Sequence, residues 1–357
     1  MKIAQVAPLM ESVPPRLYGG TERVVSYLTE ELVRLGHNVT LFASGDSQTA
    51  AKLVASVPQA LRLNPAVNDS LPYAVLQLEH LRQRIQEFDV VHFHSDYLHL
   101  PLARALLGKR TVTTLHGRLD LPDYQQVFAE FADDPLVSVS NDQRTPLQKA
   151  NWVGTVYHGL PSTVCKFEPN PNGRYLAFLG RICPEKRVDR AIEIAARAGM
   201  TLRIAAKVDA ADRAYFRTHI EPLLSQPHVE YIGEVSEHQK AEFLGNAQAL
   251  LFPIDWPEPF GLALIEAMSC GTPCIAWRTG SVPEVVDHGI TGWIVDSIAG
   301  AVEAVQQVPH LDRQAVRARF EQRFSAERMA RNYLQIYKKL SNGDTLVSEP
   351  EGSPTER

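Results

Sequence analysis

Cysteine is scarce in this sequence, with 4 residues in a chain of 357. So few thiols cannot form the disulfide framework of a small secreted domain, which favours a reducing compartment. Cys270 and Cys274 also lack a second Cys/His pair at the spacing of a zinc site. We therefore interpret them as small buried apolar residues rather than metal ligands.

A strong excess of one charge and a long apolar run are missing as well. The 36 lysine and arginine residues against 41 aspartate and glutamate residues give a formal net charge of −5, which gives no reason to expect nucleic acid binding. No apolar run approaches the ~20 residues of a membrane-spanning helix. The sequence enters a strand pattern at Lys2–Val6 without a charged-then-apolar leader, so we expect a cytoplasmic protein.

Strand and helix patterns alternate along the chain. Its 357 residues, 45% of them apolar, predict two domains at ~150 residues per domain. The predicted strands are 3–8, 39–43, 90–94, 111–115, 136–140 and 153–159, then 175–180, 202–206, 229–232, 249–253, 273–277 and 293–296. The main predicted helices are 19–35, 74–87, 98–107, 186–198, 262–270 and 324–340. This alternation predicts parallel, doubly wound α/β sheets with ligands at the carboxyl ends of the strands.

Prolines separate the first alternating pattern from the second. Pro161, Pro169 and Pro171 lie within Leu160–Gly173, which we interpret as a linker. Ser325 is the predicted N-cap of the last helix. The chain is accordingly divided into an N-terminal domain over 1–160, a C-terminal domain over 161–320, a helix within 321–340 and a disordered tail over 341–357.

The stretch Trp256–Gly271 has the features of an anion site. It follows a predicted strand, and Leu262–Cys270 within it reads as a short helix. The amides of Phe260, Gly261 and Leu262 lie in the first turn of that helix and have no acceptor inside it. Such an end binds anions, and a glycine lets the ligand approach the backbone closely.

Two carboxylates flank the same turn and need a different explanation, because they would repel a phosphate. Glu258 lies in the turn and Glu266 lies inside the helix. Carboxylates suit sugar hydroxyls, which donate hydrogen bonds to them. Bare amides for a diphosphate beside carboxylates for polyols predict a nucleotide-sugar site. The alternative is an ordinary helix N-terminus with solvated acids.

The segment Glu258-Pro-Phe-Gly-Leu-Ala-Leu-Ile-Glu266 resembles the Glu-x7-Glu signature of glycosyltransferase family 4, the retaining transferases of GT-B fold. The resemblance implies an α/β fold of two Rossmann-like doubly wound domains that face a central cleft. It implies that Glu258 contacts the donor sugar and Glu266 the ribose. It also implies that the C-terminal domain binds the nucleotide sugar, while the helix within 321–340 returns to the acceptor-binding N-terminal domain.

Three other positions extend the resemblance. His116 ends a predicted strand and matches a family histidine that reaches the donor sugar. Gly19 and Gly20 open a helix without the Gly-x-Gly-x-x-Gly spacing of an NAD site, and the resemblance places them at the donor diphosphate and the acceptor. Arg181 and Lys186 match the Gly-Arg-x4-Lys pattern that binds the donor diphosphate in this family. The alternatives are a structural histidine, a plain turn and two solvated cations.

The sequence departs from the family pattern at two places. Arg187 stands where a glycine commonly follows the lysine, and Lys207 stands where many relatives carry a Gly-rich turn. Lys207 is therefore a candidate for contact with the nucleotide. Gly280, Pro283 and Glu284 match a Gly-x-x-Pro-Glu pattern, and we interpret Glu284 as a capping or structural residue rather than a catalytic one.

No Asp-x-Asp triplet occurs in the sequence, which argues against the metal-dependent class of sugar transferases. We expect Arg181, Lys186 and the helix amides to stabilise the departing diphosphate in place of a metal, with no cofactor. His92 and His94 alternate on a predicted strand, but a metal site there lacks a third ligand, and we expect His94 to line the cleft. The predicted catalytic residues are Arg181, Lys186, His116 and Glu258.

The sequence thus predicts an enzyme of carbohydrate biosynthesis that moves a hexosyl group, UDP-glucose being the expected donor from family frequency, to a hydroxyl acceptor. The acceptor is a sugar, a lipid or a small molecule, and a lipid would bring the protein into peripheral contact with a membrane. Two alternatives remain at this point. One is a nucleotide-sugar 2-epimerase/hydrolase of the same fold, and the other is a non-catalytic sugar-binding protein with two α/β lobes.

Overall fold

Parallel strand pairing divides the described chain into two sheets. The computed structural model describes residues 1–16, 19–62, 64–106 and 110–342. The first sheet contains β1 (Lys2–Val6), β2 (Asn38–Ser44), β3 (Lys52–Val57), β4 (Val90–Phe93), β5 (Thr111–Thr114), β6 (Leu136–Ser138) and β7 (Trp152–Thr155). Their spatial order is β3-β2-β1-β4-β5-β6-β7, and each neighbouring pair is parallel.

Helices lie between most consecutive strands of this sheet, which is the usual connection of parallel strands, whereas β2 and β3 are joined without a helix. Those of the first half are α1 (Gly20–Arg34), α2 (Leu71–Arg82), α3 (Leu100–Leu106) and α4 (Pro122–Glu130). In α1, Val24, Leu28 and Leu32 recur every four residues and are fully buried. That spacing places them on one face of the helix, where they pack with Ile3 and Val90 of the sheet in one apolar cluster.

The second sheet repeats this arrangement. It contains β8 (Tyr175–Arg181), β9 (Thr201–Lys207), β10 (Val229–Gly233), β11 (Ala249–Phe252), β12 (Cys274–Trp277) and β13 (Gly292–Val295), in the spatial order β10-β9-β8-β11-β12-β13. Its helices are α5 (Val188–Ala198), α6 (Arg213–Tyr215), α7 (Glu237–Gly245), α8 (Leu262–Ser269), α9 (Val282–Val285), α10 (Ile298–Gln307) and α11 (Arg313–Arg323). Two buried apolar clusters surround this sheet.

The strand order reverses once in the middle of each sheet. The reversal lies between β1 and β4 in the first sheet and between β8 and β11 in the second. A crevice opens at the carboxyl ends of the strands on either side of such a reversal, and ligands bind there. The two sheets confirm the predicted α/β fold with two doubly wound units.

The last helix, α12 (Ala326–Asn342), packs on the first sheet although it follows the second in sequence. Tyr333 and Tyr337 of α12 are fully buried in the same apolar cluster as Leu28 of α1. The Ser325 hydroxyl oxygen accepts a hydrogen bond from the Arg328 backbone N–H at 3.3 Å, so this residue caps the helix as predicted. The first structural unit therefore contains a helix from the far end of the chain.

Some element boundaries differ from the prediction. Strand β3 and helices α4, α6, α7, α10 and α11 were not predicted. Strand β3 is an edge strand whose side chains are mostly half-buried or exposed, so it lacks a clear apolar alternation. The helix predicted from Lys186 starts at Val188, because Arg187 has a left-handed backbone with φ 53°.

The C-terminal end also differs. Ser341 and Asn342 continue α12, so the predicted tail over 341–357 begins too early, and its remaining residues, 343–357, lie outside the described part of the chain. Within the described ranges, no helix combines the length and the apolar character needed to cross a bilayer.

Candidate active site

A cleft of about 480 Å³ lies between the two sheets and is lined from both sides. It contains all the predicted catalytic and donor-binding residues: Gly19, Gly20, His116, Arg181, Lys186, Lys207, Glu258, Phe260, Gly261, Leu262 and Glu266. Residues before 160 in this set come from the first unit, and all others come from the second. The fold thus brings together groups that are far apart in the sequence, while their chemical roles stay predictions.

The turn before α8 places backbone amides at the cleft wall. Gly261 is the N-cap of the helix and has a left-handed backbone with φ 80°. A Cβ atom at this position would lie 3.1 Å from Leu264 and 3.2 Å from Phe252, so glycine satisfies both the backbone and the packing. The amides of Leu262 and Ala263 have no acceptor within the helix and are available to an anion, whereas the Leu264 amide donates to the Gly261 carbonyl at 2.9 Å.

The two predicted diphosphate-binding cations are already engaged with carboxylates. Lys186 forms an ion pair with Glu258, whose Oε2 also accepts a hydrogen bond from the Trp256 indole at 3.0 Å. One guanidinium nitrogen of Arg181 lies 2.7 Å from Glu185 Oε1. A bound diphosphate would compete with these carboxylates for the same cations.

Two aspartates add to the negative charge around the cations. Asp209 lies 3.6 Å from a guanidinium nitrogen of Arg181, and Asp212 lies 3.7 Å from its Nε. The Lys207 ammonium lies 2.9 Å from Asp209. The cations of the cleft are thus close to charge balance within the protein, which limits their attraction for an additional anion.

Glu266 occupies a buried position in α8 and bonds to a lysine that the sequence analysis did not identify. Only 6% of Glu266 is exposed, and its carboxylate accepts a hydrogen bond from Lys240 of α7. Lys240 also lies 3.5 Å from Glu237, which forms an ion pair with Arg23 of α1. The first and second units are therefore tied together beside the predicted ribose position.

His116 is held from behind by a buried hydrogen-bond network. Its Nε2 lies 2.9 Å from Nδ1 of His94, and His94 Nε2 lies 2.6 Å from the carboxamide oxygen of Gln5. Burial lowers the pKa of His116 to about 3 and the pKa of His94 far below its usual value. His94 is itself buried behind His116 and does not line the cleft, so that prediction is wrong.

The direction of this network follows from Gln5. Its carboxamide nitrogen donates to the Tyr337 hydroxyl at 3.1 Å, so its oxygen accepts from His94 Nε2. A neutral His94 then has an acceptor at Nδ1, to which His116 donates its Nε2–H. His116 Nδ1 carries no proton in this arrangement and has no partner among the described residues.

The metal alternative for this strand has no support in the geometry. His92 bonds to the Tyr337 hydroxyl at 2.6 Å and to the Thr114 hydroxyl at 2.7 Å. Both ring nitrogens of His92 are thus engaged in the same network. No group of three or more His, Cys, Asp or Glu residues in the described ranges is arranged to hold a metal ion.

His158 is a cleft residue that the sequence analysis did not select. Its ring stacks on His116 with 5.2 Å between centroids, and it meets the edge of Phe260 at 4.8 Å. Burial lowers its pKa well below the usual value. The available signal was its place at the end of a predicted strand, which is the same signal that identified His116.

Acidic groups of the first unit form the remaining wall. Glu22 and Glu11 line the cleft, and burial raises the pKa of both carboxyl groups. Arg62 lies 3.1 Å from Glu11. The first unit therefore adds two carboxyl groups and one guanidinium group to the lining of the cleft.

Comparison with known proteins gives two family matches and several relatives. The model described as Glycosyltransferase Family 4 matches residues 18–192, and the model described as Glycosyl transferases group 1 matches residues 165–323. Alpha-maltose-1-phosphate synthase of Mycolicibacterium smegmatis is 26% identical, with 94% of this chain and 100% of that protein covered. N-acetyl-alpha-D-glucosaminyl L-malate synthase of Bacillus anthracis is also 26% identical, with 91% and 95% covered.

A solved structure shares the whole fold. The crystal structure of Anabaena Alr3699/HepE in complex with UDP-glucose superposes with a TM-score of 0.70 at 17% sequence identity. The superposition covers 96% of this chain and 100% of that one.

Proposed function

The chain belongs to glycosyltransferase family 4 (glycosyl transferases group 1), enzymes of GT-B fold, and on this premise we propose that it transfers a hexosyl group from a nucleoside diphosphate sugar to a hydroxyl acceptor. We propose that the anomeric configuration of the sugar is retained and that no metal ion takes part. The observation that carries the proposal is the convergence of Arg181, Lys186 and the α8 amides on one cleft that also holds Glu258 and Glu266.

The proposed donor is UDP-glucose. A protein of the same fold is known in complex with UDP-glucose, which supports this donor. The two relatives are named for a maltose phosphate product and for an N-acetylglucosaminyl product, so the sugar and the acceptor differ between them. The acceptor of this chain is proposed to bind against Glu11, Glu22 and Arg62, because these residues line the cleft from the first unit, whereas most of the proposed donor contacts lie in the second.

The proposed reaction exchanges one C1–O bond for another. The bond between C1 and the diphosphate oxygen breaks, a bond to the acceptor oxygen forms on the same face, and the departing phosphate oxygen takes the acceptor's proton. The leaving group gains negative charge in the transition state, so Arg181, Lys186 and the α8 amides lower the barrier. Glu258 and His116 hold the donor sugar, and Glu266 binds the ribose.

Enclosure by the two units supports transfer over hydrolysis. An open site would let water compete with the acceptor for C1. The Arg23–Glu237 ion pair and the Tyr27–Glu237 hydrogen bond of 3.2 Å join the two units, and Arg23 also lines the cleft. These contacts favour a closed arrangement around the reacting groups.

The proposed setting of the reaction is the cytoplasm. The four cysteines of the chain are buried free thiols, which fits a reducing compartment. A lipid acceptor would add peripheral contact with a membrane surface.

Calorimetric titration with UDP, GDP and ADP, followed by an NMR assay of transfer, tests the proposal. We expect UDP to bind and UDP-glucose to yield a new glycoside whose anomeric coupling matches that of the donor. Absence of binding by all three nucleotides would contradict the proposal. Conversion of the donor to its C2 epimer without an acceptor would instead indicate a nucleotide-sugar 2-epimerase.

A further inference from the structure

The segment Ser140–Gln143 lies between the two halves of the active site and bonds to both of them. It follows strand β6 directly and enters a short 3-10 helix over Asp142–Leu147. Ser140 is fully buried and 5% of Gln143 is exposed. The two ends of the segment are therefore anchored in the interior, while Asn141 between them is exposed and Asp142 is half-buried.

On the side of the first unit, the segment holds the backbone around His116. The Gln143 carboxamide nitrogen donates to the carbonyl oxygens of Leu115 and Gly117, at 2.8 Å each. Its oxygen accepts from the Val139 backbone N–H at 2.9 Å. All three bonds agree on one orientation of the carboxamide, because carbonyl oxygens accept and a backbone N–H donates. Gln143 therefore holds the backbone carbonyl groups of the two residues on either side of His116.

On the side of the second unit, the same segment bonds to the donor turn and to α9. The Ser140 hydroxyl donates to the Pro259 carbonyl at 2.6 Å. The two carboxylate oxygens of Glu284 accept from the backbone N–H groups of Asn141 and Asp142, at 2.7 Å each. Bonds from backbone N–H groups to a carboxylate are among the stronger hydrogen bonds of proteins. The predicted capping role of Glu284 is thus observed, with the capped amides in the other unit.

Helix α9 transmits this contact to Glu258. The Ser281 backbone N–H donates to the Glu258 carbonyl at 3.0 Å, and the Ser281 hydroxyl donates to the Phe260 carbonyl at 2.8 Å. A Cβ atom on Gly280 would lie 2.6 Å from the Glu258 carbonyl oxygen, so the two backbones pack directly. The start of α9 is consequently packed on the donor turn and hydrogen-bonded to it.

We propose that Gln143 and Glu284 are positioning residues, which set the placement of His116 relative to Glu258 through the segment Ser140–Gln143. His116 comes from the first unit and Glu258 from the second, so their separation depends on a link between the units. The inference rests on the proposed function, in which both residues hold the donor sugar. Neither Gln143 nor Glu284 lines the cleft, so both act without touching substrate.

Three substitutions weaken or remove the link while nearly conserving the size of the side chain. In Glu284→Gln, the carboxamide oxygen can still accept from one of the two backbone N–H groups. The carboxamide NH2 group faces the other backbone N–H and cannot accept from it. Gln143→Glu places a carboxylate against the carbonyls of Leu115 and Gly117, and Gln143→Met removes the bonds without adding charge. The control is Glu30→Gln, since Glu30 also accepts from a backbone N–H, that of Ala50 at 3.0 Å, but lies away from the cleft.

The expected result is a split between binding and turnover. UDP affinity should stay within about 2-fold of the parent, because the proposed nucleotide contacts lie in the second unit, while kcat should fall ~10- to 100-fold from misplaced groups. Glu30→Gln should keep the parent kcat. Parent-like kcat in both Glu284→Gln and Gln143→Met, with folding verified by circular dichroism, would overturn the positioning role. Equal losses of UDP affinity and kcat in these variants would also overturn it.

Hydrogen exchange provides a readout that does not depend on turnover. In Glu284→Gln, peptides covering 115–117 and 257–261 should exchange faster than in the parent, and Glu30→Gln should leave both unchanged. Faster exchange at 257–261 alone would show that the link to His116 does not exist. If the parent transfers no sugar from any donor, the proposed function fails, whereas the exchange result still decides whether the two peptides are coupled.

Discussion

Lys186 and Glu258 form an ion pair inside the cleft, and the Trp256 indole donates to the same carboxylate. The side chains of the pair are 16% and 15% exposed, respectively. In the proposed reaction Lys186 serves the leaving diphosphate and Glu258 serves the sugar. In this proposal, donor binding therefore requires the Lys186–Glu258 ion pair to weaken.

The first prediction concerns Glu258→Gln. We expect UDP to bind ~2- to 10-fold more tightly, because the variant removes a carboxylate that competes for Lys186, while sugar transfer falls at least ~10-fold. Calorimetry with UDP and a transfer assay measure the two effects. Weaker UDP binding in the variant would contradict this account of the ion pair.

The second prediction concerns Arg181→Lys. The substitution keeps the charge but removes the planar fork that suits phosphate oxygens, so we expect UDP affinity to fall ~10-fold. Arg187→Lys is the matched control, since Arg187 bonds to Asp189 and Asp255 and does not line the cleft. Equal losses in the two variants would argue against a phosphate contact at Arg181.

The third prediction is a loss of stability in mild acid. Burial lowers the pKa of His99 and His116 to about 3, whereas both titrate near 6.5 in the unfolded chain. Below pH 6.5 the unfolded chain therefore binds protons that the folded protein does not, and the free energy of unfolding falls. Each histidine contributes up to ~1.4 kcal/mol per pH unit.

Urea denaturation at pH 7.5, 6.5 and 5.5 measures this dependence. His99→Gln does not titrate at this position, so it should lose less stability than the parent between pH 6.5 and 5.5. The measurements stop at pH 5.5 because burial raises the pKa of Glu22. At lower pH the folded protein binds a proton at Glu22 more readily than the unfolded chain does, which raises the free energy of unfolding. An identical slope in the parent and in His99→Gln would contradict the prediction.

The fourth prediction is insensitivity to chelators. Arg181, Lys186 and the α8 amides supply the positive charge that the departing diphosphate needs in the proposed reaction. The initial rate should therefore stay within about 2-fold after treatment with EDTA and removal of the chelate. A rate that vanishes and returns with Mg²⁺ or Mn²⁺ would contradict metal independence.

The local part of the site could be predicted because its residues are neighbours in sequence. Glu258 and Glu266 share one strand-turn-helix unit, and spacing alone places them around the first amides of α8. The left-handed Gly271 at the end of this helix, with φ 79°, was predictable for the same reason. Such features depend on backbone geometry over a few residues.

Contacts between distant residues could not be predicted from one sequence. His94 and Gln5 are 89 positions apart, and Asn141 and Glu284 are 143 apart. Their meeting depends on strand order and on how the two units pack, which spacing does not encode. Lys240 was overlooked for the same reason, because nothing around it indicates that α7 faces Glu266.

Helix α12 makes the first unit discontinuous along the chain. A fragment that stops near residue 160 would lack Tyr333 and Tyr337, and it would leave their apolar partners and His92 exposed to water. A chimera that exchanges the whole first unit between relatives would accordingly need two junctions, one before the linker and one beside Ser325. Exchange at a single junction would combine the first sheet of one relative with the α12 helix of another.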